Sequence, residues 1–368
     1  MAPAVDAVPI YQGEDFYVPA FEMKLDGRPP GRDVIRDVMS VTYKDNIAEF
    51  DTFDVTINNW DAAELKFKYS DTALFDPGKR IELQMGYYGK VRMMLKGEIT
   101  SLRPSFPSGG GSTLTISGMN AMYKLRTEQI SEIYEDTTDS QVAQKIGQRL
   151  GVDVEADNKG EEKLKYLIQD NQFDIIFLME RARRIGYDIF VKERENAKPL
   201  LTFKKSTNER RTAYILSYGK SLIEFQPELT TNNQVGKVIV RGWDPVQKKK
   251  IEVIATRDQI LTKGVGSEGG QENIDKAFKD KVEVVATKPV ESEAEGRILA
   301  REILEGIAKD MVKGNGSTVG LPDLRAGVVL HIDGLGKRFT GRYFVTASTH
   351  TIADGGYTTQ FECRREEL

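Results

Sequence analysis

The chain has 368 residues, of which 39% are hydrophobic and 29% charged; this composition supports globular cores and predicts two or three domains of roughly 150 residues each. Its 52 basic and 56 acidic residues leave a net charge of −4, which argues against a broad nucleic-acid-binding surface. A single cysteine, Cys363, excludes an intrachain disulfide, and two histidines without compact spacing argue against a zinc site.

The sequence also lacks the segments that mark secretion or membrane insertion. The first twenty residues have neither the basic start nor the apolar run of a signal peptide. No apolar stretch approaches the roughly 18 residues of a transmembrane helix. We therefore expect a protein made in the cytoplasm, without stable membrane insertion and without a cofactor.

The first 125 residues read as β structure. Ile81, Leu83 and Met85 alternate with polar residues, which is the period of two expected of a half-buried strand. Further strand-like stretches lie at 49–59 and 113–117, with a glycine-rich turn before the second. Short strands separated by turns predict a small β-barrel domain at residues 1–125.

Residues 126–205 change to a helical period and predict a small α/β insertion. The first helix would follow an N-cap at Asp139 or Ser140 and end at Gly151. A second helix is predicted from Asp174 to just before Gly186, and alternation after it predicts a strand.

Residues 206–368 return to β character and predict a second β-barrel domain. A strand over 236–245 would pair with one over 250–254. The polar, glycine-containing stretch 261–291 predicts a long excursion, and a helix is predicted from roughly Glu291 to Met311. Together they place a loop and helix insertion at about 257–316.

One strand pattern occurs twice, over Gly78–Ile116 and Gly327–Phe361. Each copy has a glycine-led strand, a tight glycine turn, a strand containing a glycine (Gly97 and Gly341), and a Gly-Gly turn into a Thr-rich strand. Two unrelated antiparallel meanders could also share such turns. A duplication predicts an α+β, mainly β fold with two similar tube-like barrels, the α/β insertion between them and a helix-containing excursion in the second.

Several stretches resemble a known family. They are Asp51–Ile57, Asp174–Leu178 through Tyr187, Phe225–Leu229, Val238–Pro245 and His350–Arg365. These stretches are similar to phage late control D proteins and to the hub portion of VgrG proteins. The resemblance implies two tube-like barrels separated by an α/β insertion, in a central baseplate hub that trimerises beneath the tail tube of a contractile injection system.

The most specific part of this resemblance is a structural motif of five residues: Arg241, Gly242, Trp243, Asp244 and Pro245. Trp243 could be a stacking platform for a ligand, but we expect a buried anchor that holds the turn onto its own barrel. Asp244 and Pro245 would set the turn, and Gly242 would permit its backbone.

Catalytic patterns are missing. The sequence has no Gly-x-Ser-x-Gly elbow and no phosphate-binding loop, and both His331 and His350 lie in predicted strands, where a hydrogen-bonded structural role is expected. Asp136 and Asp139 could form a carboxylate pair, although solvated charge or helix N-terminal acids are the simpler interpretation. The sequence therefore predicts no catalytic, metal or cofactor site.

We predict a non-enzymatic homotrimeric adaptor that joins a hexameric inner tube to a trimeric spike in a phage-tail-like injection particle. Its partners would be itself, the inner tube protein, a spike protein and other baseplate components. The sequence reaches Leu368 soon after the last predicted strand, so the spike is expected on a separate polypeptide. The alternatives are a glycan- or peptidoglycan-binding module and a carboxylate-based cell-wall hydrolase.

Overall fold

The computed structural model describes residues 8–9, 16, 18–47, 49–120, 128–157, 161, 163–192, 194, 197–205, 212–245, 247–260, 279–286 and 290–365. Most of these residues lie in strands, and the predicted fold class is confirmed. Most of the predicted excursion at 261–291 lies outside the described residues, but a strand within it is described below.

The part of the chain up to residue 120 forms mainly strands. In chain order they are β1 (Val8–Pro9), β2 (Pro19–Leu25), β3 (Val38–Asn46), β4 (Thr52–Asn58), β5 (Trp60–Asp61), β6 (Lys66–Phe67), β7 (Arg80–Tyr87), β8 (Lys90–Ser105) and β9 (Thr113–Asn120). A short helix, α1 (Arg32–Asp37), and a 3-10 turn (Ala73–Phe75) lie between them. Buried and half-buried residues alternate in β4 and β9, as a strand with one covered face requires.

The second part mixes helices and strands. It contains β10 (Gln129–Thr137), α2 (Asp139–Leu150), β11 (Asp153–Ala156), β12 (Leu164–Phe173), α3 (Asp174–Ile185), β13 (Tyr187–Lys192) and β14 (Leu200–Lys205). Both predicted helices are confirmed. The predicted N-cap of α2 is one residue off, because Thr138 accepts a hydrogen bond from the backbone of Gln141, whose side chain accepts one from the backbone of Thr138.

The third part returns to strands. It contains β15 (Thr212–Ser217), β16 (Leu222–Leu229), β17 (Lys237–Asp244), β18 (Lys249–Thr256), β19 (Val282–Val285), α4 (Glu293–Lys309), β20 (Val312–Val319), β21 (Val329–Asp333), α5 (Gly336–Phe339), β22 (Gly341–Ala353) and β23 (Gly356–Arg365). A 3-10 turn (Arg257–Gln259) follows β18. Helix α4 confirms the predicted helix, with each end two residues shorter.

Two groups of six strands have the same order. The first unit runs β3-β4-β9-β8-β7-β2, and the second unit runs β16-β20-β23-β22-β21-β15. If the six strands of each unit are numbered in chain order, both sheets read 2-3-6-5-4-1. One direction differs, because β2 is antiparallel to β7 whereas β15 is parallel to β21. Each unit has its own apolar core.

The irregularities of the two units also coincide. The second strand of each carries a bulge after its first residue, at Met39 in β3 and at Ile223 in β16. The fifth strand of each carries a bulge at a threonine, Thr100 in β8 and Thr346 in β22. Because bulges are local and costly to place, two shared bulges at matching positions support the predicted duplication strongly.

The glycine that leads the fourth strand is equivalent in the two units. Gly78 donates its backbone N–H to the carbonyl of Ile99 at 2.8 Å, and Gly327 donates to Val345 at 2.9 Å. The other proposed glycine match is wrong. When the strands are aligned on their bulges at Thr100 and Thr346, the residue equivalent to Gly97 is Tyr343, two positions beyond Gly341. Gly97 has a separate reason to be glycine, because its backbone approaches the carbonyl of Met119 closely.

The strands β17, β18 and β19 form a separate sheet, and α4 packs on one face of it. The insertion in the second barrel was predicted to begin at about 257, but β17 and β18 already belong to this sheet. Their apolar residues Val238, Val240 and Val253 face α4, so the hairpin has its own partner and does not join the second unit. The α/β insertion also has a core of its own.

We predict that the two equivalent glycines tolerate alanine unequally. Gly78 (φ +95°) and Gly327 (φ +86°) both hold backbone conformations that disfavour a side chain, at a cost of about 1–2 kcal/mol for Gly78→Ala. A Cβ on Gly327 would also lie 2.4 Å from the ring of Phe190, whereas on Gly78 its nearest neighbour is 3.8 Å away. Gly327→Ala should therefore lose roughly 1–3 kcal/mol more, measured by urea unfolding. Equal losses would contradict this account of Gly327.

Candidate functional site: the junction between the two units

One strand joins the two units into a single sheet of 13 strands. Strand β22 of the second unit pairs along one edge with β21 and then with β3 of the first unit, and along its other edge with β23. The pairing with β3 is antiparallel and runs from Ala347 opposite Asn46 to Ile352 opposite Val41. The backbone N–H of Ile47 extends it by donating to the carbonyl of Thr346 at 3.0 Å.

A buried ion pair crosses this junction. Arg325, which lies between β20 and β21 of the second unit, donates from Nε to Oδ2 of Asp45 in β3 at 2.5 Å. The other oxygen of Asp45 accepts from the backbone N–H of Ser348 at 3.1 Å and from its hydroxyl, while Oδ2 also accepts from the N–H of Ala326 at 3.2 Å. Asp45 is only 6% exposed. Its carboxylate is therefore compensated by a cation and by donors from two elements of the second unit.

Tyr43 and Asp51 extend the network within the first unit. The hydroxyl of Tyr43 donates to Oδ2 of Asp51 at 2.9 Å and accepts from the guanidinium of Arg325. Burial, with the nearby charge of Asp45, raises the pKa of Asp51 above its ordinary value. Burial alone would lower the pKa of Arg325, but Tyr43, Asp45 and Asp51 together raise it, so the guanidinium stays charged.

His350 of β22 is fully buried beside the ion pair. Its Nε2 lies 3.1 Å from the carbonyl of Leu324, which can only accept, so Nε2 carries the hydrogen. Its Nδ1 is then the acceptor, and its single lone pair faces the hydroxyls of Tyr357 at 3.0 Å and Thr359 at 3.1 Å, either of which can donate to it. Burial lowers the pKa of His350 to about 3, and the charge of Arg325 adds to that effect. The ring is a neutral connector, as the sequence analysis expected of a strand histidine.

Aromatic packing closes the junction next to the polar network. Tyr87 of β7 donates its hydroxyl to the carbonyl of Gly320 at 3.0 Å and lies 5.6 Å, ring to ring, from Tyr357 of β23. Gly320 has no room for a side chain, since a Cβ there would lie 2.0 Å from the ring of Tyr357. This aromatic side of the junction is therefore a well-packed contact between the units.

The motif predicted from the sequence lies elsewhere, on β17. Arg241 pairs with Glu252 across the strands at 2.9 Å, and Asp244 accepts from the backbone of Gln247 at 2.8 Å in the following turn. At Gly242 a Cβ would lie 2.4 Å from the carbonyl of Val290. The glycine thus permits a close backbone approach. Pro245 follows β17 directly, at the start of the turn.

Trp243 is not the predicted buried anchor. Its side chain is 51% exposed. Val238 and Val240 face α4, and the alternation of the strand turns Trp243 to the opposite face. The motif and the junction are thus separate features of the molecule.

Sequence analysis missed Asp45 and Arg325. Asp45 follows Val41 and Tyr43 at the spacing of two that marks the covered face of β3, so a charged residue at a core position was the available signal. Arg325 lies outside any strand and carries no comparable signal. Asp139, one member of the weighed carboxylate pair, instead binds Arg181 through two hydrogen bonds of 2.5 and 2.9 Å.

The described residues contain no cluster of three or more His, Cys, Asp or Glu side chains placed to bind a metal ion. In the same part of the chain, no helix is both long and apolar enough to cross a membrane.

Solved structures share this fold. The 43 kDa tail protein of prophage MuSo2 from Shewanella oneidensis matches with a TM-score of 0.70 at 12% identity, covering 95% of this chain and 98% of that one. A tail protein from Neisseria meningitidis MC58 matches with a TM-score of 0.69 at 12% identity, covering 95% and 97%. The E. coli c3393 protein, described as a component of the type VI secretion system, matches with a TM-score of 0.58 at 13% identity, covering 93% and 76%.

The fold is therefore that of phage tail proteins. The sequence model of the Alg8 N-terminal domain matches residues 19–354, and the chain belongs to that family. No curated protein is detectably similar in sequence.

We predict that Arg325→Met destabilises the chain by about 3–5 kcal/mol, because it leaves the buried carboxylates of Asp45 and Asp51 without their cation. The matched control is Arg241→Ala, whose partner Glu252 is 53% exposed and whose loss should stay within about 1 kcal/mol. Chemical denaturation of both variants measures the difference. Similar small losses would show that the ion pair does not hold the junction.

We predict a pH signature for His350. Its pKa is lower in the folded chain than the ordinary 6.5, so the stability that the neutral ring contributes is present above pH 6.5 and is lost as the pH falls towards 3. Asp51, whose pKa is raised, has the opposite sign. The stability advantage of the native chain over His350→Gln should shrink by about 1.4 kcal/mol per pH unit in this window. If the free energies of unfolding of the two chains changed equally between pH 7 and pH 4, this prediction would be wrong.

Proposed function

We propose that this chain is a non-enzymatic structural hub of a contractile injection system or phage-tail baseplate, a trimeric symmetry adaptor between a hexameric inner tube and a trimeric spike. One observation carries the proposal: a single chain contains two six-stranded units with the same strand order and the same bulges. Three such chains would present six similar units in one ring. The ring could then match six tube subunits on one face while remaining three-fold overall.

The junction supports this role because it makes the two units one body. A rigid hub must transmit force from tube to spike without its halves separating, and a continuous sheet with a compensated buried ion pair resists that separation. The neighbouring α/β insertion and the separate sheet with α4 lie outside the 13-stranded sheet. We propose that they contact other baseplate components.

The domain boundaries are part of the same proposal. We assign residues 1–125 to the first barrel, 126–205 to the insertion and 206–368 to the second barrel with its own insertion. The shared fold with tail proteins supports the assignment to an injection particle, and the motifs quoted for late control D and VgrG hub portions support a place at its centre. No residue is given a catalytic or cofactor-binding role.

The proposal predicts three copies of the chain at the junction of tube and spike. Electron microscopy of a particle that contains the chain should find it there, and native mass spectrometry of the assembled hub should give three times the chain mass. Another position in the particle, or a copy number other than three, would refute the proposal.

The exposed ring of Trp243 favours one second candidate, a glycan-binding module. That candidate predicts a monomer and saturable polysaccharide binding that Trp243→Ala abolishes. Since the hub proposal predicts neither, the same mass measurement and a binding titration separate the two functions.

A further inference from the structure

Two strand edges have no partner strand in the described part of the chain, although the equivalent edges of the other unit are paired. In the first unit, β3 pairs with β4 on one edge and with β22 on the other. Its equivalent in the second unit, β16, pairs with one described strand, β20, and otherwise forms a single bridge between Leu222 and Tyr218; no described residue forms a strand along its other edge. Likewise β22 continues past β21 to pair with β3. Strand β8 continues past β7, and over residues 100–105 it pairs with β9 on one edge and with no described strand on the other.

We propose that these two edges pair with each other between neighbouring copies of the chain, so that residues 100–106 of one copy lie antiparallel to residues 225–231 of the next. The proposal rests on the trimeric hub and specifies its contact. It uses the junction inside the chain as the template, since β8 is equivalent to β22 and β16 is equivalent to β3. Each copy then offers two different surfaces, which makes the contact head-to-tail, as a closed ring requires.

The shared bulges set the register. Thr100 matches Thr346 and Met39 matches Ile223, so every pair in the internal junction has one counterpart between copies. The predicted pairs, each from one copy to the next, are Ser101–Thr230, Leu102–Leu229, Arg103–Glu228, Pro104–Pro227, Ser105–Gln226 and Phe106–Phe225.

Side chains on the two free edges are less buried in a single chain than the equivalent side chains at the internal junction. In the internal junction Val41, Asp45 and Ser348 are at most 6% exposed. Their counterparts Phe225, Leu229 and Leu102 are only half-buried although they pack against the cores of their units. Phe106, the counterpart of the half-buried Ile352, is 59% exposed. Pairing the edges would cover this apolar surface and place Leu102 of one copy against Leu229 of the next.

Charge on the outer face fits the same register. Arg103 and Glu228 have opposite charge and are both exposed, and the register places them directly opposite each other. Arg103 already donates to Asp54 at 2.9 Å within its own chain, which orients its guanidinium on this face. Glu228 would give the same cation a second carboxylate.

Two prolines occupy one predicted pair. In the internal junction His350 and Tyr43 occupy this position, and the backbone of every second residue of β22 from Thr346 onward faces β3. Pro104 and Pro227 therefore place their missing N–H groups on the free edges, the position that a strand tolerates for proline. This pair forms no hydrogen bonds, and the two proline rings hold the strands apart locally. The hydrogen-bonded pairs are the alternate ones, Leu102–Leu229 and Phe106–Phe225. The prolines also limit unspecific pairing of each edge before assembly.

Cysteine cross-linking tests the contact and its register. In the internal junction the hydroxyls of Thr42 and Thr351 lie 3.5 Å apart on opposite strands, and their counterparts are Gln226 and Ser105. Under mild oxidation, Ser105→Cys combined with Gln226→Cys should therefore give covalent trimers on a non-reducing gel. Thr42→Cys combined with Thr351→Cys is the matched control and should form its disulfide within one chain. The natural Cys363 is 2% exposed, and burial raises the pKa of its thiol, so it should add no background.

A charge exchange gives a second measurement. Arg103→Glu or Glu228→Arg alone would place like charges opposite each other and should weaken assembly at least about ten-fold in native mass spectrometry. The combined variant should recover most of that loss. Glu224→Arg, on the same exposed face of β16 but outside the predicted pairs, serves as the control and should leave assembly unchanged.

The outcomes separate this contact from the hub itself. Trimers by mass in which only the control disulfide forms would overturn the proposed edges and leave the trimeric hub intact. Dimers cross-linked by Ser105→Cys alone would mean a two-fold contact and would also overturn them. A chain that forms no cross-link, and whose copy number in the particle is not three, would overturn both.

Discussion

The architecture depends on β22 being long enough to pair with strands of both units. Its first residues complete the second unit against β21, and its later residues bind β3 of the first unit. A strand that leaves one partner and continues beside another must expose backbone donors and acceptors at the transition. The bulge at Thr346, whose carbonyl accepts from Ile47, lies at that transition. Two units in sequence thereby become one sheet.

The buried polar network follows from that arrangement. Bringing β3 against β22 buries Asp45 almost completely, and an isolated carboxylate there would be costly. Arg325, Ser348 and the backbone of Ala326 supply the compensation, and all three come from the second unit. A buried pair of this kind adds little net stability over an apolar contact, but it penalises any register that leaves the charge unpaired. Its main effect would be to define how the units meet.

The sequence predicted what is periodic and local. Alternation in β7 and β9, the stripe of α3 and the glycine stops at Gly151 and Gly186 follow from neighbouring residues, and these features are present. The duplication was visible because Gly78 and Gly327 occupy equivalent turns. The match of Gly97 to Gly341 failed because the two glycines lie two positions apart when the equivalent strands are aligned on their bulges.

What escaped prediction depends on distant contacts. Whether Trp243 points inward depends on which face of β17 meets α4, and α4 follows about fifty residues later along the chain. The partner of Asp45 is Arg325, which no local pattern connects to it. The assignment of β17 and β18 to a separate sheet likewise required knowing that α4 covers them. Family resemblance located the Arg241–Pro245 motif, and it covered Asp51 and His350 without indicating that they lie at one junction.

The contrast between the inner junction and the free edges has a physical reason. Inside one chain the two units are tethered, so a polar contact that needs every partner in place can form reliably and then define a single geometry. A contact between separate copies has no tether and must gain affinity from apolar surface, while each edge stays soluble before its partner arrives. Leu102 and Leu229 replace Ser348 and Asp45 at the equivalent pair, and Pro104 and Pro227 replace His350 and Tyr43. The internal junction thus carries polar residues that suit folding within one chain, and the free edges carry apolar residues and prolines that suit assembly between chains.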